Sequence, residues 1–217
     1  MKTLSKPIVV PVALFALGSL TVLSGAFRLT SIGAGPDAKG ADEMAHYFAH
    51  TPLITAHIVA GILFNLMTPL QFVAGLRQRL PAVHRWSGRL LVVAGVIAGA
   101  TAVWMNEIFP DYGGFAKYLG LHLFGSGLIL TLVLGLRAAF VRDFDSHRAW
   151  MMRAMALGLG GATQRIYLLP IFVYFGELSD AAIAAGIWSG FLINLIFVEW
   201  LLWRERMMRK MAVPDPS

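Results

Sequence analysis

Not one of the 217 residues is a cysteine, which excludes disulfides, thiolate metal sites, iron–sulfur clusters and covalently attached c-type haem. Charge is nearly as scarce. Asp, Glu, Lys and Arg make up 14% of the chain, against about 25% in an ordinary soluble domain. Acidic residues number 12 against 18 basic ones, a net charge of +6. No nucleophile elbow, H-E-x-x-H pair, phosphate loop or dinucleotide fingerprint occurs, so nothing in the chain speaks for a hydrolase, kinase or dehydrogenase. Internal repeats and low-complexity stretches are missing too, which removes solenoids, collagens and disordered tails.

What is abundant is apolar: 57% of the residues are hydrophobic and the mean hydropathy is +0.67. Runs of about 20 apolar residues suffice to cross a bilayer as helices, and six are present: Ile8 to Thr30, Pro52 to Leu76, Ala82 to Ile108, Phe115 to Ala139, His147 to Phe175 and Ala181 to Trp203. The sequence therefore predicts an all-α polytopic membrane protein. It is one domain over residues 1–217, six transmembrane helices of which helices two to five form a four-helix ligand-binding bundle. Pro52, Pro81 and Pro110 punctuate the connections, and Thr51 and Asp145 or Ser146 are the expected N-caps of the second and fifth helices. Gly33 to Thr51 is the one sizeable loop. Lys2 and Lys6 precede the first span, but its apolar stretch exceeds the roughly 7 to 15 residues of a signal-peptide core.

Basic and acidic residues segregate. Lys2, Lys6, Arg77, Arg79, Arg85, Arg89, Arg137, Arg142, Arg148, Arg153, Arg204, Arg206, Arg209 and Lys210 fall on one side, and Asp37, Asp42, Glu43, Glu107, Asp111, Glu177 and Asp180 on the other. The positive-inside rule puts both termini in the cytoplasm. Topology and anionic headgroups thus account for the positive charge, and no nucleic-acid partner is expected.

Each of helices two to five carries one histidine: His57, His84, His122 and His147. A histidine inside an apolar span is costly and marks a functional candidate. At about 1.5 Å per residue, His57 and His122 lie roughly 8 and 11 Å from the outer surface, while His84 and His147 lie near the inner one. Two imidazoles from opposing helices can take the axial positions of a haem iron. A flat ring beside them needs small neighbours. Gly61 and Gly75 follow His57, Gly88, Gly95 and Gly99 follow His84, Gly125 follows His122, and Gly158 and Gly161 follow His147. Small residues also let transmembrane helices approach one another, so the bland reading stays open.

The stretch Arg77 to Leu90, R-Q-R-L-P-A-V-H-R-W-S-G-R-L, and Ser146 to Arg153, S-H-R-A-W-M-M-R, are followed by Gln164 and Arg165. With His57 and Gln71 they closely resemble a family of predicted bacterial inner-membrane proteins catalogued as a domain of unknown function. The His84-Arg85-Trp86-Ser87-Gly88 stretch is also similar to the H-S-W-L-G segment of cytochrome b561-like diheme membrane proteins. That resemblance implies two b haems, one held by His57 and His122 and the other by His84 and His147.

Arg165 lies deep in the fifth span without a nearby acid in sequence, so it needs an acceptor such as a propionate, a quinone carbonyl or a carboxylate. Gln164, Gln71, Asn65 and Asn194 can complete a polar site or bond between helices. Arg85, Arg148 and Arg153 sit beside the inner histidines, where guanidinium forks suit propionates or phosphate. His46 and His50, four residues apart, can share a helical face and a metal.

Three functions follow as expectations. The first is a b-type cytochrome passing single electrons across the membrane, exchanging them with a quinone or small reductant. The second is a haem-free protein that binds lipid, quinone or a partner subunit, including a second copy or a respiratory partner. The third is a non-haem metal enzyme using His84, His147 and Asp143 or Asp145.

Overall fold

The computed structural model describes residues 6–36, 45–110 and 112–212. Lys2, Asp37, Asp42, Glu43 and Asp111 lie outside the described residues. In lipid the backbone has no water to bond, and among the described residues the long apolar runs are helical with no strand. The helices are α1 (Lys6–Gly33), α2 (Ala45–Ala49), α3 (Thr51–Gln71), α4 (Ala74–Arg79), α5 (Pro81–Ile108), α6 (Gly114–Phe140), α7 (Phe144–Gly158), α8 (Gly160–Phe175) and α9 (Asp180–Ala212). Six segments are long and apolar enough to cross a bilayer: Val10–Gly33, Thr51–Gln71, Pro81–Ile108, Gly114–Phe140, Phe144–Phe175 and Asp180–Met211.

Several boundaries differ from the sequence expectation, the last helix running on past Trp203 to Met211. The second span stops at Gln71 instead of Leu76: Pro69 in its last turn lacks the N–H that would continue the ladder, Val73 is extended, and α4 forms separately. Thr51 is the first residue of α3, not its cap, and its hydroxyl donates back to the Tyr47 and Phe48 carbonyls. Asp143, not Asp145 or Ser146, caps α7, accepting the Ser146 N–H at 3.0 Å after Arg142 turns the chain at a φ of 60°.

The fifth span is two helices. It breaks at Leu159, between Gly158 and Gly160, where paired glycines weaken a helix against bending. Phe191 of α9 lies on Gly160 so closely that no Cβ would fit. Asn194 clamps the same break, donating to the Ala156 carbonyl at 3.1 Å and accepting from Thr163 at 3.0 Å.

The helices pack in chain order. α1 lies on α3, α3 on α5, α5 on α6, α6 on α7 and α9, and the circuit closes where α9 meets α8 and α8 meets α1. Phe64, Leu91, Ala94, Phe124, Leu128, Leu132, Ala154 and Leu157 from the second to fifth spans form the main core with Ile187 of α9. The outer surface carries exposed Leu23, Phe27, Leu130, Ile196 and Phe197, the apolar face that lipid tails cover. The bundle therefore contacts the bilayer on its periphery. One end, where α3 finishes and α5 and α7 start, holds Arg77, Arg85, Arg148 and Arg209 and is the basic end. The opposite end, where α3 and α6 start, is the far end.

Candidate functional site

At the basic end His84 and His147 lie within electrostatic reach of each other. His84 sits one turn into α5, with Arg77 and Arg85 also within electrostatic reach. Its Nδ1 is buried and has no hydrogen-bond partner among the described residues. His147, in the first turn of α7, has its Nδ1 2.8 Å from the carbonyl oxygen of Gly135 on α6. A carbonyl only accepts, so that nitrogen carries the proton and donates, which leaves the Nε2 lone pair unprotonated while the ring is neutral. Gln71 closes this end of α3 onto α5 by donating to the Ser87 hydroxyl at 2.8 Å.

At the far end the two histidines are treated differently. His57 of α3 places Nδ1 3.1 Å from the Ala98 carbonyl and 3.0 Å from the Thr101 hydroxyl of α5, which again leaves Nε2 without a partner among the described residues. His122 of α6 uses both ring nitrogens. Nε2 stands 2.7 Å from Glu107, and Nδ1 stands 2.9 Å from the Asn106 amide and 3.0 Å from the Tyr118 carbonyl. The Asn106 NH₂ also donates to that carbonyl at 3.0 Å, and Tyr118 donates its hydroxyl to Glu107 at 3.0 Å. Nε2–H donates to the carboxylate, while Nδ1 either accepts from the Asn106 amide or, when it carries a proton, donates to the Tyr118 carbonyl, but cannot do both at once. Thr101 and Asn106 are roughly 140° apart around α5, so the two rings meet different faces of that helix.

The arginines divide in the same way. Arg148 forms a bidentate pair with Glu205 at 2.6 and 2.7 Å, and Arg153 one with Glu199 at 2.5 and 3.0 Å. Both forks therefore tie α7 to α9. Arg85 is exposed near His84. Arg165 of α8 is partly buried, donates Nη1 to the Gly161 carbonyl of its own helix at 2.5 Å, and has Arg28 of α1 and His57 within electrostatic reach. Gln164 faces Gly190 of α9 with its Cβ, and its Oε1 is buried without a partner.

The glycines near the histidines serve several purposes. Phe64 fills the space beside Gly95 and Gly158, and Leu132 also presses on Gly95. Gly99 and Gly125 let α5 and α6 touch backbone to backbone. Gly61, one turn after His57, faces open space.

The hydropathy pattern gives no warning of the Asn106–His122–Glu107–Tyr118 network or of Lys117, which is only 3% exposed. The Lys117 ammonium lies 4.4 Å from the centre of the Tyr112 ring. The signal available was a polar pair, Asn106 and Glu107, at the end of one span facing a histidine in the next. Outside the spans, His46 and His50 both pack on Phe109, at ring separations of 4.9 and 6.0 Å. Burial first, then Arg28 and His50, hold the His46 imidazole below its ordinary pKa. Among the described residues no three His, Cys, Asp or Glu side chains gather as a metal-binding group.

A family model described as "Predicted membrane protein (DUF2306)" matches residues 54–203. That stretch contains His57, His84, His122, His147 and Arg165. No curated protein and no solved structure matches the chain.

Proposed function

The chain belongs to the predicted membrane protein family DUF2306, and we propose that it is a b-type cytochrome-like transmembrane electron-transfer protein. The observation carrying this reading is the basic-end pair: His84 with a buried, unpartnered Nδ1, and His147 with its Nδ1–H held by Gly135. A histidine that donates one ring N–H to a carbonyl has a fixed ring and a more basic second nitrogen, which is how metal-ligating imidazoles are usually prepared. Haem b bound there would supply a one-electron carrier inside the bilayer. His147 and His84 would hold it, with Arg77 and Arg85 within electrostatic reach of His84 to draw its propionates or an anionic reductant. His57, prepared in the same way by Ala98, is the proposed ligand of a second haem. His122 would serve beside it only by giving up its bond to Glu107.

The exchange partner we propose is a membrane quinone or a small reductant, with a respiratory partner or a second copy alongside. The positive-inside rule sets the basic end and both termini in the cytoplasm of a bacterial inner membrane. The test is an absorption spectrum of the full chain purified from haem-replete cells. A reduced-minus-oxidised b-haem signal is expected, with H84A and H147A each removing one component and H57A another. A folded, colourless preparation overturns the reading.

One observation favours a haem-free alternative, a membrane protein that binds lipid, quinone or a partner subunit. Phe64 and Leu132 already fill the space beside Gly95 and Gly158 that a flat ring near the middle of the bundle would use. Under that alternative R85Q impairs function and the histidine variants leave it intact.

A further inference from the structure

His57 and His147 each turn one ring nitrogen to a carbonyl of a neighbouring helix, whereas His122 is built into a cluster of side chains. Its Nε2 stands 2.7 Å from Glu107, whose Oε1 also accepts the Tyr118 hydroxyl at 3.0 Å. Tyr118 and His122 are one turn apart on α6, with ring centres separated by 4.3 Å, and Glu107 is the penultimate residue of α5. Asn106 ties the two helices together: it is 9% exposed and donates to the Tyr118 carbonyl at 3.0 Å. The cluster is reachable from outside, with the His122 side chain 27% and the Glu107 side chain 49% exposed. It lies at the far end, on the side where the sequence collects most of its acidic residues outside the last helix and the α7 start, and negative charge raises the local concentration of cations.

The surroundings of Nδ1 decide what the cluster can take. The Asn106 amide, a donor, is 2.9 Å from it, and the Tyr118 carbonyl, an acceptor, is 3.0 Å from it, so both neutral tautomers of the ring are provided for. With the proton on Nε2, the ring accepts from Asn106 and donates to Glu107. With the proton on Nδ1, the ring donates to the carbonyl and turns a bare Nε2 lone pair toward a carboxylate, an arrangement that repels unless a cation stands between them. A ring N–H given to a backbone carbonyl, and a carboxylate held by a hydrogen bond, are also how metal ligands are oriented. Tyr118 supplies both, its carbonyl to His122 and its hydroxyl to Glu107.

We infer that this far-end cluster binds a divalent transition-metal cation of the zinc or copper kind, with His122 Nε2 and the Glu107 carboxylate as ligands, Tyr118 positioning both and water completing the coordination. Bonds of about 2.0–2.1 Å at the tetrahedral angle set ligand atoms roughly 3.3 Å apart. The 2.7 Å contact therefore opens by about half an ångström, a small movement for a half-exposed side chain at the end of its helix. An imidazole with a carboxylate suits Zn²⁺ and Cu²⁺, whereas Mg²⁺ and Ca²⁺ call for more oxygen ligands. Two protein ligands leave the other positions to water, the coordination of an exchangeable ion and not of a structural one. The site uses neither histidine of the basic-end pair, so it stands with or without haem there, and it gives His122 a task other than partnering His57.

The test uses the full chain in detergent, stripped with EDTA and titrated calorimetrically with ZnCl₂ or MgCl₂. Wild type should bind Zn²⁺ and not Mg²⁺. H122Q and E107Q should each lose that binding, and Y118F, which keeps both ligands but releases the carboxylate, should weaken it about tenfold. H50A, which removes an imidazole outside the cluster, should bind as wild type does. Cu²⁺ supplies a readout that a purely structural role would not move: the electron paramagnetic resonance spectrum of the loaded wild type should show nitrogen coupling from an imidazole, lost in H122Q. Thermal unfolding without metal checks that each variant is folded, and should H122Q fail to fold, E107Q and Y118F carry the comparison. A wild type that takes up no Zn²⁺, equal Zn²⁺ affinity in wild type, E107Q and Y118F, or a loss confined to H50A overturns the proposal.

Discussion

The ring of Phe64 on α3 lies directly on the backbone of Gly158 on α7, leaving no space for a Cβ at that position. Phe64 is 2% exposed and also contacts Gly95, so one aromatic side chain locks three of the four helices that carry the histidines. G158A should destabilise the bundle by about 1–3 kcal/mol through overpacking. The double variant G158A/F64L should recover part of that loss, because the two sites are coupled. Thermal unfolding in detergent measures both, and additive losses would disprove the contact.

The ion pairs between α7 and α9 should rank by exposure. In the Arg153–Glu199 pair the arginine is 19% and the acid 50% exposed, in Arg148–Glu205 the values are 41% and 34%, and in Arg209–Asp145 they are 67% and 78%. Solvent screens exposed pairs almost completely. R209M should therefore change stability by less than about 0.5 kcal/mol. R153M should cost about 1 kcal/mol, a buried-pair loss discounted for the half-exposed glutamate. R148M should fall between them. An R209M loss as large as that of R153M would contradict the ranking.

Asp143 gives the α7 start a pH dependence. Its carboxylate accepts the Ser146 N–H, and that backbone bond, followed by the Ser146 side chain, holds its pKa below the ordinary 3.8. A depressed folded pKa means the contribution is fully present above the ordinary aspartate value and disappears as pH falls through the lowered one. Exchange of the Ser146 amide, corrected for its intrinsic rate, should be protected at neutral pH and lose that protection only in strong acid. D143N, which still caps but cannot titrate, should remove the acid step. D143A should lose the protection at every pH.

Much of the fold was legible along the chain. Hydropathy is a local sum, so six apolar runs of sufficient length gave six spans, with ends within a few residues except where Pro69 stopped α3 early and where the last helix runs on past Trp203 to Met211. The resemblance to a membrane-protein family of unknown function was likewise legible, and a family model over residues 54–203 bears it out. The site was legible only in its residue types: one histidine on each of four spans, and a lone arginine on the fifth. Which atom each one meets was not. His122 and His57 have similar depth and similar apolar neighbours in sequence, yet one is tied at both nitrogens and the other keeps one free.

The sequence by itself determined that this chain lives in a bilayer, how many times it can cross, and which polar groups are costly enough there to need partners. Only the tertiary structure decided the partners. It gave Glu199 to Arg153 and Glu205 to Arg148, set His147 on Gly135, filled Gly158 with Phe64, and turned Arg165 onto the Gly161 carbonyl of its own helix. The physical reason is that crossing a membrane depends on apolar length, which adds up residue by residue. Pairing depends on how each helix is turned about its axis, and that rotation is fixed by packing against neighbours distant in the chain.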